Sequence, residues 1–443
     1  MILDFIIAVL CMSGIWKLTN CRAFPSPQFL MILGFFLYFY LGVILNSYDP
    51  FFAKNKHFDD IVTSVRLGFC SIALASIITC KWQSLSFDYY QRVYLQQNTV
   101  VDRWTLINLK VLGWIMVLLV LVYLVLIPEQ PLLVMFTNPS QLVYAREAVT
   151  AGFKYFGFFS NFFYNIMPLI WISLFIAGKK KFAIALIFMN FVAILSTGQK
   201  SPVVYMLLLS LCTVGFLKGQ FNYRKTIIYS LLGFIFLIGI VYVQNSHLFT
   251  GFSLDSLLSS MNGLIRRIFF VGPDTFLSYF KTFPSQHPFL IEQASEYSAH
   301  SLVYRTIYGN DVAGTVNSTS FIFFYGWFGN LYISAVLYFF VCILLFSTPY
   351  ILRFLHASKY VVIANYIAIF LLVVKFNITD WYTIYFVYFL SFCIVHGFTY
   401  SSRFMYMFVK GDGKYKGTFF SVIITTLLFF YYLQGQLRIL LLG

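Results

Sequence analysis

Charged side chains are scarce in this chain. Asp, Glu, Lys and Arg make up 10% of its 443 residues, whereas an ordinary soluble domain carries about 25%. With 60% of the residues hydrophobic, that shortage excludes a water-soluble globule as the whole fold. Metal-binding cysteine spacing is also missing. Cys11, Cys21, Cys70, Cys80, Cys212, Cys342 and Cys393 form no C-x-x-C pair, and all sit in or at the ends of apolar runs. They read as structural thiols; neither a zinc site nor a disulfide framework is expected. The first apolar run, Ile2–Leu18, lacks a basic leader and a small-residue cleavage site. It reads as a retained helix and not as a signal peptide. Internal repeats and low-complexity linkers are absent too, so residues 1–443 read as one integral membrane domain.

Apolar runs of about 20 residues are abundant, the length that crosses a hydrocarbon core as a helix. Twelve spans are expected: Ile2–Leu18, Gln28–Leu45, Ile61–Cys80, Leu106–Ile127, Phe153–Ala177, Phe182–Leu195, Pro202–Leu217, Thr226–Val243, Ser320–Ser347, Tyr360–Val374, Tyr382–Thr399 and Thr418–Tyr432. The expected fold class is therefore an all-α polytopic membrane protein.

Charge sets the orientation. With the amino terminus outside, the inner loops hold 18 of the 30 basic residues and only three acids, Asp88, Asp102 and Asp412. Basic residues near helix ends mark the cytoplasmic side. The whole net charge of +15 then falls on that side, and no nucleic acid is needed to explain the basic balance. The outer face carries two long loops, Pro128–Gly152 and Gln244–Ser318, and the tight turn Ser196–Pro202. In a bacterium that face has no supply of ATP or nucleotide-sugar. Chemistry there must draw on energy already stored in a substrate, such as a polyprenyl diphosphate ester.

The turn Thr197-Gly198-Gln199-Lys200-Ser201 joins two apolar helices with almost no spacer. Gly198 permits backbone geometry that other residues resist. Lys200 stands just before a helix led by Pro202, and a helix amino terminus attracts anions. A lysine there is either a snorkelling side chain at the interface or a partner in anion binding. Arg146, just before the fifth span, reads either as an anion-binding group or as half of a local ion pair with Glu147 or Glu129.

In the larger loop, Ser253–Phe270 reads as an amphipathic helix capped by Ser253, with apolar residues at helical spacing. Arg266 and Arg267 fall in its last turns. Positive charge suits the helix dipole there, and the planar guanidinium also matches phosphate oxygens. Glu292, Glu296 and His300 stand at i, i+4 and i+8. On a helix they would share a face, drifting about 40° per step, and could hold a general base or form a solvated face. Arg305 precedes a turn-rich segment, Gly309–Thr319, that enters the ninth span. No D-x-D pair occurs anywhere, which weakens a reading that needs a metal ion on a diphosphate.

At these residues the chain resembles the Wzy-type oligosaccharide repeat-unit polymerases. The resemblance rests on about twelve spans with one large late periplasmic loop, and on Thr197-Gly198-Gln199-Lys200-Ser201, which looks like that family's T-G-x-R turn with Lys for Arg. It rests further on Arg266-Arg267-Ile268-Phe269 with Pro273 and Tyr279, and on Arg146 and Gly157, which fit an R-x10-G spacing. The exit Gly314–Thr319 leading to Tyr325-Gly326-Trp327-Phe328-Gly329 completes it. The resemblance covers about Arg146–Gly329.

It implies a metal-independent glycosyltransferase with a C-type multi-helix fold and no cofactor, in a bacterial inner membrane with its active site facing the periplasm. Such an enzyme moves a glycan from undecaprenyl diphosphate onto a newly exported repeat unit. Its implied partners are undecaprenyl-diphosphate-linked oligosaccharides, membrane lipids and a polysaccharide chain-length regulator. Arg146, Lys200, Arg266 and Arg267 are then expected to bind diphosphate and sugar, and Glu296, His300 and Arg305 to act in catalysis. An O-antigen ligase shares the donor and the large loop. A lipid-linked oligosaccharide flippase is a further alternative, disfavoured because transporters place ionisable groups within their spans. A structural scaffold would leave the clustered arginines unexplained.

Overall fold

A computed structural model describes residues 2–47, 54–80, 87–95, 99–138, 141–199, 201–244, 253–293, 295, 297–309, 319–353, 358–376 and 391–399. Among these, all regular structure is helical. Among the described residues, five helices are long and apolar enough to cross a bilayer: Pro27–Asn46, Phe58–Cys80, Thr105–Leu126, Phe156–Ile176 and Leu331–Pro349. Pro202–Leu217 and Lys359–Phe370 are shorter apolar helices. The chain thus has the make-up of a multi-pass membrane protein. Its outer helix faces fit that make-up: Leu10, Trp114, Val125 and Phe340 are all exposed, a placement that lipid tails tolerate and water does not.

Two compact units divide the chain. One comprises Met1–Phe87, Met261–Thr348 and Leu372–Tyr385; the other comprises Asp88–Ser260, Pro349–Leu371 and Phe386–Gly443.

In the first unit, helices Ile2–Leu18, Pro27–Phe35 and Phe58–Cys80 pack on one another. Arg66 donates to Asp4 at 2.7 Å, so the two opposite charges on these helices neutralise each other. Ser71 Oγ donates to Ala335 O at 2.9 Å, tying Phe58–Cys80 to Leu331–Arg353. The helix Val271–Thr282, from the larger loop, packs against Phe58–Cys80 and against Leu41–Asn46. Two glycines permit that approach. A side-chain carbon at Gly42 would stand 2.1 Å from Phe269 O, and one at Gly272 would stand 2.6 Å from Tyr38 O.

Two expectations are corrected in this unit. The run Ser320–Ser347 is not one helix but two, Ser320–Phe328 and Leu331–Arg353. Gly329 takes φ +66 and ends the first. Asn330 Oδ1 then accepts from Tyr332 N and Ile333 N and starts the second. Glu292 and His300 also do not share a helix. Residues 291–293 form turns and bends, and the helix Ala299–Tyr308 starts only after Ser298, whose hydroxyl accepts from Ser301 N. A cap at Ser298 breaks the spacing that would have aligned the two side chains.

In the second unit, Met167–Ile176 is the centre. It packs against Lys180–Leu195, Thr99–Leu126 and Ser201–Leu217, and Met167, Leu169, Ile170, Trp171, Ile172 and Leu174 have no exposed surface. In lipid such burial is favoured by close packing and not by escape from water. A π-turn at Phe162–Ile166 precedes this helix. Such a turn loosens the regular hydrogen-bond ladder, and Asn190 Nδ2 donates to Phe163 O at 2.8 Å. The expected loop Pro128–Gly152 contains the short helices Pro131–Thr137 and Leu142–Glu147. The amphipathic helix is observed at Leu254–Phe269, its residues up to Ser260 counted in this unit and those from Met261 in the other, with Ser253 as its cap: Ser253 Oγ accepts from Ser256 N, and Ser256 Oγ from Ser253 N, both at 3.1 Å. The expected span Thr418–Tyr432 lies outside the described residues, as does much of Tyr382–Thr399.

Candidate functional site

The second unit joins two of the sequence motifs. Helix Lys180–Leu195 ends in the turn Ser196-Thr197-Gly198-Gln199, and Gly198 adopts φ +70. That is left-handed backbone, which only glycine takes without strain. Thr197 Oγ1 donates to Ile194 O at 2.7 Å and receives Gln199 N at 3.3 Å. Tyr164 Oη shares its proton between Thr197 Oγ1 at 2.9 Å and Gln199 Oε1 at 3.0 Å. Thr197 is fully buried, so the turn is held from below by hydrogen bonds.

Arg146 lies against this turn. A side-chain carbon at Gly198 would stand 2.9 Å from Arg146 Cγ, 3.1 Å from its Cβ and 3.2 Å from Pro131 Cβ. Gly198 therefore serves both the positive φ and the close approach of the arginine stem. Arg146 is exposed, and among the described residues it makes no ion pair with Glu129 or Glu147. Lys200 lies outside the described residues, and the helix Ser201–Leu217 begins at the next position.

The other proposed site residues belong to the first unit. Arg266 is exposed in the last turn of Leu254–Phe269, and Arg267 follows it in the same helix. Arg266 and Lys281 both act on Asp274 and lower its pKa, but desolvation outweighs them and the carboxyl pKa is raised. Asp274 is exposed by surface area, yet enough protein surrounds it to penalise the charged form. The Arg305 guanidinium lies 3.8 Å from the centre of the Tyr297 ring, a cation–π geometry. His300 is 2% exposed. Its Nδ1 is bonded to Tyr279 Oη, and its ring packs 5.0 Å from that of Phe323. Tyr279 and Phe323 thus enclose His300 in this structure. Glu296 lies outside the described residues.

No group of three or more His, Cys, Asp or Glu side chains among the described residues is placed to hold a metal ion. The seven cysteines, all among the described residues, form no disulfide.

Sequence reasoning missed Tyr164, the side chain that fastens the turn. Its one signal is a hydroxyl within the aromatic run Phe162-Phe163-Tyr164. It also missed the glycine pair Gly42 and Gly272, since close approach leaves no local pattern. No family model, no curated protein and no solved structure matches this chain.

Proposed function

We propose that this chain is an O-antigen-type polymerase, a glycosyltransferase that joins undecaprenyl-diphosphate-linked oligosaccharide repeats at the outer face of a bacterial inner membrane. The observation that supports it most is Arg146 seated on the Gly198 turn. An exposed guanidinium, a turn whose next residue is Lys200, and the start of an apolar helix together suit a diphosphate at headgroup level. Diphosphate is already a good leaving group, so its chief need is stabilisation of the charge that develops as it departs. Preorganised positive charge is usually the largest catalytic contribution, and each charge-assisted hydrogen bond contributes about 1.5–3 kcal/mol. The acceptor hydroxyl attacks the anomeric carbon directly, with inversion. The remaining spans of the expected twelve and the periplasmic placement of both long loops belong to the same reading.

The test is a gel profile of surface lipopolysaccharide from a strain lacking the gene, with and without a wild-type copy. Core carrying one repeat and no ladder, restored by the copy, supports polymerase. Core with no repeat points to ligase or flippase. An unchanged ladder removes the reading.

A further inference from the structure

We infer that Gln199 donates to the diphosphate of the lipid-linked substrate, and that Tyr164 is the residue that positions it. The inference rests on the polymerase reading of the Gly198 turn and adds a neutral group to its charged ones. All residues involved belong to the second unit. Gln199 follows Gly198 directly, beside the seat of the Arg146 stem, and is half-buried. Its backbone N–H donates to Thr197 Oγ1 at 3.3 Å, and its Oε1 accepts from Tyr164 Oη at 3.0 Å. The two protons on Nε2 have no acceptor among the described residues. An amide carries its donors and its acceptor on opposite arms, so engaging Oε1 turns Nε2 away from Tyr164.

The surrounding chain is built to hold this amide. Thr197 gives its own proton to Ile194 O, so towards Tyr164 and the Gln199 N–H it acts as an acceptor. A second tyrosine holds the same turn: Tyr123, fully buried, donates from Oη to Ser196 O at 3.4 Å. Two π-turns border the arrangement. One, Phe162–Ile166, carries Tyr164, and Asn190 pins it at Phe163 O. The other, Ala148–Gly152, follows the helix that carries Arg146, and Thr150 Oγ1 donates to Arg146 O at 2.8 Å. Such turns are rare and recur at functional sites. A neutral amide donates to phosphate oxygens without gaining or losing a proton. The opposite flip would bring the amide oxygen to the anion, and the Tyr164 hydrogen bond disfavours it.

Tyr164 would fasten the turn even if Gln199 met no ligand, and the experiment separates the two roles. Detergent-solubilised protein is given lipid-linked repeats extracted from the deletion strain, and polymer formation is followed. Inorganic pyrophosphate is the second probe, read as inhibition of that reaction and as thermal stabilisation of the protein. Gln199→Met keeps the length but has no donors. It is expected to raise both the KM for the repeat and the half-inhibiting pyrophosphate concentration about 10-fold or more, the range for a hydrogen bond to a charged group. Gln199→Glu still accepts from Tyr164 but brings a negative charge to the anion, and is expected to lose more. Tyr164→Phe is expected to raise the KM about 5-fold, and to add little in a Gln199→Met background, since it acts through that side chain. An equal cost in both backgrounds overturns the positioning role. Melting temperatures without ligand separate lost binding from lost fold, and the two Gln199 variants decide the matter if Tyr164→Phe does not fold. Wild-type KM and inhibition in Gln199→Glu overturn the diphosphate contact, since a carboxylate accepts from a sugar hydroxyl but donates nothing to phosphate. A wild-type protein that makes no polymer, yet is stabilised by pyrophosphate in a way that Gln199→Glu abolishes, removes the polymerase reading and keeps the diphosphate site. No stabilisation of wild type by pyrophosphate overturns the site itself.

Discussion

Arg146 and Gly198 are 52 positions apart in the chain, yet a single carbon added to Gly198 would stand 2.9 Å from Arg146 Cγ. The glycine is doubly constrained, by its φ of +70 and by the arginine stem laid over it. Gly198→Ala is expected to cost about 1–2 kcal/mol for the left-handed backbone alone, and to push Arg146 off the turn. Thermal unfolding of the detergent-solubilised protein and the lipopolysaccharide ladder would both report it. A stable protein with a normal ladder would show that the contact carries no function.

Gly42→Ala and Gly272→Ala should loosen the loop helix Val271–Thr282. Each added methyl meets backbone, Phe269 O at 2.1 Å or Tyr38 O at 2.6 Å, so the neighbour cannot simply rotate away. Overpacking of this kind costs about 1–3 kcal/mol. Hydrogen exchange over residues 271–282 should quicken in both variants. Gly14→Ala is the control, since nothing lies within 4 Å of its added carbon; equal effects at all three glycines would refute the clamp.

His300→Ala should act on stability before it acts on chemistry. Emptying a buried side-chain site costs about 2–5 kcal/mol, and Tyr279 would lose one of its hydrogen-bond partners. His300→Gln, which retains a polar side chain of similar length, should keep measurable polymer. A fully inactive but normally stable His300→Gln protein would instead assign His300 to the chemistry.

Asp274 predicts a pH slope. Its carboxyl pKa is raised in the fold by desolvation, so the folded state holds that proton more tightly than the unfolded chain. Its contribution to stability is therefore most favourable at acid pH and declines as pH rises from the ordinary carboxylate range through the raised value. Asp274→Asn should flatten that decline, and because the group reaches the surface the change should be small. Melting temperatures of both proteins from acid to neutral pH check it; a steeper decline in Asp274→Asn would contradict the sign.

Features governed by local spacing were legible in the chain. Ser253 caps the amphipathic helix because a hydroxyl at that position meets an amide three residues on, whatever surrounds it. The same local logic was available at Ser298 and at Gly329-Asn330. There it was masked by longer patterns: the apparent i, i+4, i+8 alignment of Glu292, Glu296 and His300, and an unbroken apolar run. A cap or a positive φ outranks periodicity, because it sets the backbone that periodicity presumes.

The sequence by itself determined an all-helical membrane character, since composition and run length decide where a backbone can satisfy its hydrogen bonds within lipid. Only the tertiary structure decided that Arg146 sits on Gly198, that His300 is enclosed by Tyr279 and Phe323, and that Tyr164 holds Thr197 and Gln199. Those relations depend on which helix faces meet and how closely two backbones approach. Close approach comes from small residues and shape, and it leaves no period in the chain to read.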